Sequence, residues 1–120
     1  MRSFVTGASG FIGAHLVPRL LEKGPVTTLQ GSDGPGKVPS GCVAIEGDVT
    51  NRDDLRYIPS MDVIVHMAAE ASPERAAADP ARARLINVEG TRHVVELAKR
   101  HGARLVFLST GQVYGPSMGR

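Results

Sequence analysis

Three glycines near the start of the sequence have the spacing that a phosphate-binding loop needs. The segment Thr6-Gly7-Ala8-Ser9-Gly10-Phe11-Ile12-Gly13 lies between a short apolar stretch and a run with helical periodicity. In that context Gly7 permits the tight turn, Gly10 lets the backbone approach a pyrophosphate, and Gly13 lets the helix pack closely on the sheet. The free N–H groups at a helix N-terminus favour negative charge. The segment predicts a dinucleotide-binding loop; a glycine-rich turn without a ligand is the plainer alternative.

A loop of this kind needs a parallel sheet behind it, and the remaining sequence predicts one. Short apolar stretches, typical of strands covered on both faces, recur at residues 3–6, 26–29, 43–45, 63–66 and 105–108. Helices are expected over residues 11–23, with Gly24 as the C-cap, over the short stretch 51–56, and over 80–100. This order predicts an α/β fold with a doubly wound, Rossmann-type parallel sheet in the order 3-2-1-4-5, truncated after strand 5.

The last of these helices has the clearest boundaries. Asp79 is the expected N-cap, Pro80 occupies the first helical position, and Gly102 lies just past the end. Its predicted apolar stripe consists of Leu85, Val88, Val95 and Ala98. Residues 31–41, rich in Gly, Ser and Pro, are expected to form a surface loop.

Composition limits the classes of function. The 120 residues, 42% of them hydrophobic, are enough for one domain, residues 1–120. Fourteen basic and 12 acidic side chains are scattered through the chain and leave a net charge of +2, which argues against nucleic-acid binding. No apolar run approaches the roughly 20 residues of a membrane span. A single cysteine, Cys42, and the lack of a charged-then-apolar leader make the cytoplasm the expected compartment.

Five ordered motifs resemble the extended branch of the short-chain dehydrogenase/reductases, which includes UDP-galactose 4-epimerase and the nucleotide-sugar dehydratases. They are the glycine loop, Gly47-Asp48-Val49, His66-Met67-Ala68-Ala69, Asn87-Val88-Glu89-Gly90-Thr91, and Ser109-Thr110-Gly111-Gln112-Val113-Tyr114-Gly115. The resemblance covers essentially the whole chain. It implies the NAD(P)-binding portion of an epimerase or dehydratase acting on a nucleotide sugar or another small molecule.

The resemblance also assigns roles to residues. It implies that Asp48 accepts a hydrogen bond from the adenine amino group, that Asn87 has a structural and active-site role, and that Thr110, or its neighbour Ser109, assists catalysis. The cofactor-binding residues would be Gly7, Gly10, Phe11, Ile12, Gly13, Gln30, Asp48, Val49, Met67, Ala68, Ala69 and Asn87.

Plainer interpretations remain open for individual residues. Asp48 could simply end a strand and begin a turn. His66, at the end of a buried strand, is expected to be a packed and hydrogen-bonded histidine. Cys42 is expected to be a structural cysteine. Tyr114 belongs to the Val-Tyr-Gly motif and is not the family's catalytic tyrosine. No group of residues has metal-ligand spacing, so no metal site is expected.

Two departures from the family pattern affect function. Where strand 2 ends, an acidic residue usually binds the ribose of NAD, but this chain has the neutral Gln30. Asp33 could substitute if the loop folds back, and only Lys37 could approach a 2′-phosphate, so NAD is preferred over NADP. The family's catalytic Tyr-x-x-x-Lys is absent from the 120 residues, so the chain alone is expected to be inactive.

Three functions fit these observations. The first is an NAD-dependent epimerase or dehydratase, to which these residues contribute the cofactor half. The second is a non-catalytic NAD(P)-binding sensor or regulatory module, and the third is a ketone or alcohol oxidoreductase of the same branch. An uncovered parallel edge after strand 5 predicts self-association, as a homodimer or an aggregate.

Overall fold

The computed structural model describes residues 1–31, 38–110, 113 and 115. Its centre is a five-stranded parallel sheet formed by β1 (Ser3–Thr6), β2 (Val26–Gln30), β3 (Val43–Glu46), β4 (Val63–His66) and β5 (Arg104–Phe107). The order is β3-β2-β1-β4-β5, and each neighbouring pair is parallel. The predicted strand order is therefore confirmed, and each strand boundary lies within one residue of the prediction. Across the described residues, no helix is long and apolar enough to cross a membrane.

The switch point of the sheet lies between β1 and β4. The chain winds from β1 to β2 and β3 on one side, then crosses back so that β4 pairs with the other side of β1. At the carboxyl ends of these two strands Thr6 is in register with His66. Connections leave in opposite directions from this point, which opens a crevice at the carboxyl edge.

Helices cover both faces of the central strands. On one face α1 (Phe11–Leu21) packs through Val17 against Val5 and Val65. On the other face α4 (Gly90–His101) packs through Val94 and Leu97 against Phe4 and Ile64. Because successive strand residues point to opposite faces, both faces of β1 and β4 contribute to the core.

The two outer strands differ from the sequence-based expectation. Burial on both faces is confirmed for β1 but is wrong for β3 and β5, whose residues are largely exposed. These strands are the edges of the sheet, so each has a neighbouring strand on one side only. Val43 on β3 and both Val106 and Phe107 on β5 consequently present large apolar side chains to solvent.

The end of α1 also differs from the expectation. The helix ends at Leu21 with Glu22 as its C-cap, so the assignment of Gly24 as the cap was wrong. Gly24 has φ +149°, and a Cβ on it would lie 2.1 Å from the carbonyl oxygen of Met1. Glycine is required here by the close approach of the two backbones.

The helical region after β4 is interrupted. A short helix, α2 (Pro73–Ala78), was not predicted; it precedes α3 (Pro80–Arg84), a π-helical turn (Leu85–Glu89) and α4. Asp79 caps α3 by accepting from the Arg82 N–H, and Gly102 follows α4 in the left-handed conformation, so both predicted boundary residues are confirmed.

The π-helical turn changes which residues of this region are buried. A π turn holds one residue more than an α turn and therefore rotates the following residues about the helix axis. Leu85 and Val88 are 39% and 37% exposed, so placing them in the apolar stripe was wrong. The buried residues of the helix are Gly90, Val94, Leu97 and Ala98.

The first turn of α4 supports the loop that follows β3. A Cβ on Gly90 would lie 2.8 Å from Cγ2 of Val49, so the helix backbone rests directly on that side chain. One turn later, His93 Nδ1 is 2.7 Å from the carbonyl oxygen of Val49. A 3₁₀ helix (Arg52–Leu55), capped by Asn51, follows this loop and adds Leu55 to the same core.

Candidate functional site

Two cavities open side by side at the carboxyl edge of the sheet. The first, of about 400 Å³, extends from the glycine loop to the loop after β3. The second, of about 460 Å³, lies between the end of β4, the π-helical turn and the segment after β5. Met67, Ala68 and Ala69 line both cavities and separate them. This is the elongated, divided crevice that a dinucleotide with two halves requires.

The glycine loop presents an open helix N-terminus to the first cavity. Gly10 is the N-cap of α1, and no side chain caps the helix there. The nearest atom to a Cβ built on Gly10 would be the Gly7 carbonyl oxygen at 3.5 Å, so the space above it is open. Gly7 has φ +73° and would place a Cβ 2.8 Å from the Ala68 nitrogen. The loop thus leaves a cradle next to unpaired helix N–H groups, the arrangement that binds phosphates.

Gly13 has a different structural function within the same loop. A Cβ on it would lie 2.1 Å from the carbonyl oxygen of Ala8. The first turn of α1 therefore rests directly on the backbone of the loop at Ala8. Gly13 is buried and does not line the first cavity among the described residues.

Besides Gly13, three further expected cofactor residues lie outside the lining of both cavities. Phe11 and Ile12 are 80% and 52% exposed on the outer side of α1. Gln30 ends β2, and its neighbours Leu29 and Gly31 line the first cavity, as the alternation of a strand requires. Asp33 and Lys37 fall outside the described residues.

Asp48 is held by donors on both carboxylate oxygens. Oδ1 accepts from the Thr50 N–H at 2.9 Å and from the Thr50 hydroxyl at 2.8 Å, and Oδ2 accepts from Arg82 Nη2 at 3.3 Å. Partial burial raises the pKa of Asp48, but the hydrogen bonds from Thr50 and then Arg82 outweigh it, so the pKa lies below its ordinary value. Asp48 is therefore an ionised acceptor inside the first cavity.

Arg82 is a cavity residue that sequence reasoning did not find. Its partner Asp48 is 34 positions away, and Arg82 is the one basic side chain that lines the first cavity in the described part of the chain. The sequence just after Gln30 contains only Lys37 as a nearby cation. The cap at Asp79 placed Arg82 in the first turn of a helix, but only the tertiary fold turns that helix toward the loop after β3.

His66 lies at the boundary of the second cavity, within a chain of hydrogen bonds. It is 1% exposed, its Nδ1 is 2.7 Å from the Thr6 hydroxyl, and its Nε2 is 2.9 Å from the Thr91 hydroxyl. The expectation of a packed and hydrogen-bonded histidine is confirmed. Burial lowers the pKa of His66, so the ring is neutral near pH 7.

The donor and acceptor of each hydrogen bond around His66 follow from the groups at the two ends of the series. The Thr91 hydroxyl donates to the Asn87 carbonyl at 2.7 Å, so it must accept from His66, whose proton is therefore on Nε2. Nδ1 then accepts from the Thr6 hydroxyl. The Thr6 oxygen in turn accepts from the N–H groups of Met67 and Ala68, at 3.0 and 3.1 Å. These hydrogen bonds fix Met67 and Ala68, two of the three residues that separate the cavities.

Asn87 lines the second cavity, but its amide is bonded to the backbone. Its Oδ1 accepts from the Glu70 N–H at 2.7 Å, and its Nδ2 donates to the Glu70 carbonyl at 3.3 Å. This reciprocal pair ties the π-helical turn to the segment after β4. Ser109 and Thr110 line the same cavity.

Cys42 lies outside both cavities. Its thiol is 2.9 Å from the Pro39 carbonyl, and burial raises its pKa, which favours the unreactive thiol form. Across the described residues, no three His, Cys, Asp or Glu side chains are grouped so that they could hold a metal ion.

Curated proteins with similar sequences include enzymes named for nucleotide-sugar substrates. The chain is 34% identical over 125 residues to a dTDP-glucose 4,6-dehydratase of Mycobacterium tuberculosis, covering 96% of this chain and 38% of the relative. It is 34% identical over 121 residues to UDP-glucuronic acid decarboxylase 2 of Arabidopsis thaliana, covering 96% of this chain and 27% of the relative. The chain thus spans well under half the length of these relatives.

Solved structures give the same result. UDP-glucose 4-epimerase of Thermotoga maritima superposes with a TM-score of 0.85 and 26% identity, over 92% of this chain and 38% of that one. The Thermus thermophilus UDP-glucose 4-epimerase in complex with NAD superposes with a TM-score of 0.78 and 31% identity, over 92% and 38%. The model of the NAD dependent epimerase/dehydratase family matches residues 3–119. With this match spanning nearly its whole length, the chain belongs to the NAD-dependent epimerase/dehydratase family.

Proposed function

We propose that residues 1–120 form the NAD-binding domain of an enzyme that epimerises or dehydrates a nucleotide sugar. The observation that carries the proposal is the uncapped N-terminus of α1 at Gly10, which opens into a cavity that also contains the ionised Asp48. An anion-binding helix end and a carboxylate acceptor in one crevice match the diphosphate and the adenine amino group of NAD.

Each half of the cofactor has its own set of residues in this proposal. Gly7 and Gly10 hold the diphosphate, while Gly13 keeps the loop seated on α1. Asp48 accepts from the adenine amino group, next to Val49 in the same cavity. Met67, Ala68 and Ala69 lie along the middle of the cofactor, and Asn87 supports the second cavity through its bonds to Glu70. Phe11, Ile12 and Gln30 remain candidates for contacts at the edges of the site.

The second cavity is proposed to hold the nicotinamide and the sugar. Bound NAD supplies a reversible hydride acceptor there. Thr110, with Ser109 beside it, provides hydroxyl groups that orient the substrate or a catalytic tyrosine. Neither tyrosine of this sequence is followed four residues later by lysine, so turnover by the 120 residues alone is not expected.

A calorimetric titration with NAD and NADP tests the proposal. We expect saturable binding of NAD by the chain and its loss in a Gly10→Val variant, whose side chain fills the phosphate cradle. Ala14→Val is the matched control, because it adds a branched side chain on the exposed side of the first turns of α1. Equal binding of NAD by wild type and Gly10→Val would refute the assignment of the loop.

Two further parts of the proposal concern the environment of the protein. Exposed Val106 and Phe107 on the β5 edge support self-association of the 120-residue chain, as a homodimer or higher species. A monodisperse monomer in sedimentation velocity would refute it. The unpaired Cys42 supports a cytoplasmic location.

A further inference from the structure

Arg82 reaches across the crevice that separates the two halves of the sheet. It belongs to α3, which follows β4, whereas its partner Asp48 belongs to the loop after β3. The Asp79 carboxylate accepts from the Arg82 N–H at 3.0 Å and so fixes the backbone from which the side chain extends. The guanidinium is thereby brought to one end of the first cavity, which the glycine loop borders at the other end.

The ion pair between Arg82 and Asp48 is too weak for stabilisation of the fold to explain why Arg82 lies in the cavity. Both side chains are about two-fifths exposed and the Nη2–Oδ2 distance is 3.3 Å. An ion pair with this exposure contributes little to folding. Asp48 is already oriented by the two donors of Thr50. The guanidinium therefore has donors and a planar face that remain available toward the cavity.

The chemistry of the cavity indicates what this planar cation would meet. Asp48 Oδ2 has a second lone pair for an amino group beside the Arg82 bond. A base bonded to that oxygen would have its edge within a few ångströms of the guanidinium. Guanidinium planes stack favourably on aromatic faces, including those of purines. Leu29, Val49 and Ile86 supply apolar surface around the same end of the cavity.

We propose that Arg82 binds the adenine of the cofactor directly, stacking its guanidinium plane on the base that Asp48 holds by its edge. The proposal rests on the proposed function, in which this cavity receives the adenosine half of NAD. It adds a basic side chain from α3 to the end of the cavity that contains Asp48.

Calorimetric titration of four variants with NAD, AMP and nicotinamide mononucleotide tests the proposal. Arg82→Met keeps the length of the side chain without its charge or plane, and Arg82→Lys keeps the charge without the plane. Arg84→Met is the matched control, because Arg84 is exposed on the same helix and does not line the cavity. Asp48→Asn reports on the carboxylate alone. Thermal unfolding of each variant checks that the fold is retained.

We expect Arg82→Met and Arg82→Lys to weaken the binding of both AMP and NAD by roughly threefold to tenfold. This is the range for a partly exposed guanidinium stacked on a ring. Binding of nicotinamide mononucleotide should not change, and Arg84→Met should bind like the wild type. Wild-type affinity for AMP in Arg82→Met would overturn the proposal. Rescue by Arg82→Lys would overturn the stacking contact in favour of a simple charge effect. If the unmodified chain bound no adenine nucleotide, the proposed function would fail as well, so the two failures are distinguishable.

Discussion

The hydroxyl of Thr6 donates to Nδ1 of His66 over 2.7 Å, which links the carboxyl end of β1 to that of β4 at the switch point of the sheet. The same oxygen accepts from the backbone of Met67 and Ala68. The Thr6 hydroxyl therefore bonds to three groups, and it holds the segment that lies between the two cavities.

Replacing Thr6 by valine should strongly destabilise the protein. Valine has nearly the same shape, but it leaves Nδ1 of His66 and the Ala68 N–H without their partner, whereas the Met67 N–H keeps the Thr6 backbone carbonyl at 3.2 Å. Unsatisfied buried groups of this kind should lower the free energy of unfolding by about 3 kcal/mol. Urea denaturation measures this change. Thr6→Ser retains the hydroxyl, so it should recover most of the stability, and a Thr6→Val variant as stable as Thr6→Ser would contradict the hydrogen-bond assignment.

Stability should fall in mild acid because of His66. Its pKa is lowered in the folded protein from the ordinary 6.5 by burial, so the unfolded chain binds a proton that the folded chain does not. The stability contributed by the neutral ring is fully present above pH 6.5 and is lost as the pH falls below it. The slope should reach at most about 1.4 kcal/mol per pH unit for one group.

Urea denaturation between pH 7.5 and 5.5 measures this slope. Burial also lowers the pKa of His101, so His101→Gln is needed as the background in which the remaining slope is assigned. The carboxylates Asp48, Asp62 and Glu70, whose pKa values are lowered, contribute only in more acidic solution. A flat profile in His101→Gln would contradict a neutral, buried His66.

Gly10 and Gly13 should respond to substitution in opposite ways. Gly10 has open space above it, so Gly10→Val should change the free energy of unfolding by no more than about 1 kcal/mol while abolishing NAD binding. Gly13→Ala would place a methyl group 2.1 Å from the Ala8 carbonyl, so it should cost about 3 kcal/mol or more in stability. Thermal and urea unfolding measure both variants. A stable Gly13→Ala would show that the loop and α1 can separate at little cost.

Asp48 should make the site selective for adenine. A carboxylate accepts from the amino group of adenine but repels the carbonyl oxygen that hypoxanthine carries at the same position. We expect NAD to bind about tenfold more tightly than nicotinamide hypoxanthine dinucleotide, the worth of one hydrogen bond to a charged acceptor. In Asp48→Asn the amide can donate to that oxygen, so the preference should shrink. Competition titrations measure the ratio, and equal binding of the two dinucleotides by the wild type would contradict the role of Asp48.

Much of the fold could be predicted because the local signals agreed with one another. Short apolar stretches, the glycine loop and the Asp79-Pro80 helix start all predicted alternating strands and helices, and the observed strand order follows from that alternation. The helix α2 was missed although Ser72 and Pro73 are ordinary start signals, because the helix is only six residues long. Short helices have too few residues to produce a periodic pattern.

The unpredicted features depend on contacts between distant segments. Whether Leu85 and Val88 face the core depends on the π-helical turn, and no local pattern in the sequence specified it. Arg82 lines the first cavity because the fold brings its side chain to Asp48 in the loop after β3, 34 positions away in the sequence. The hydrogen-bond chain through His66 likewise joins three separate parts of the chain. Such contacts form only when the helices pack on the sheet, so no local stretch of sequence predicts them.

The first turn of α4 touches both halves of the crevice. Gly90 rests on Val49 beside the first cavity, Thr91 holds His66 at the border of the second, and one helix carries both contacts. The residues that border the two cavities are therefore held by the same helix. A change in the core that tilts α4 would displace Val49 and His66 together. The spacing of the two cavities is therefore set by one helix, whereas the residues that line each cavity can vary independently.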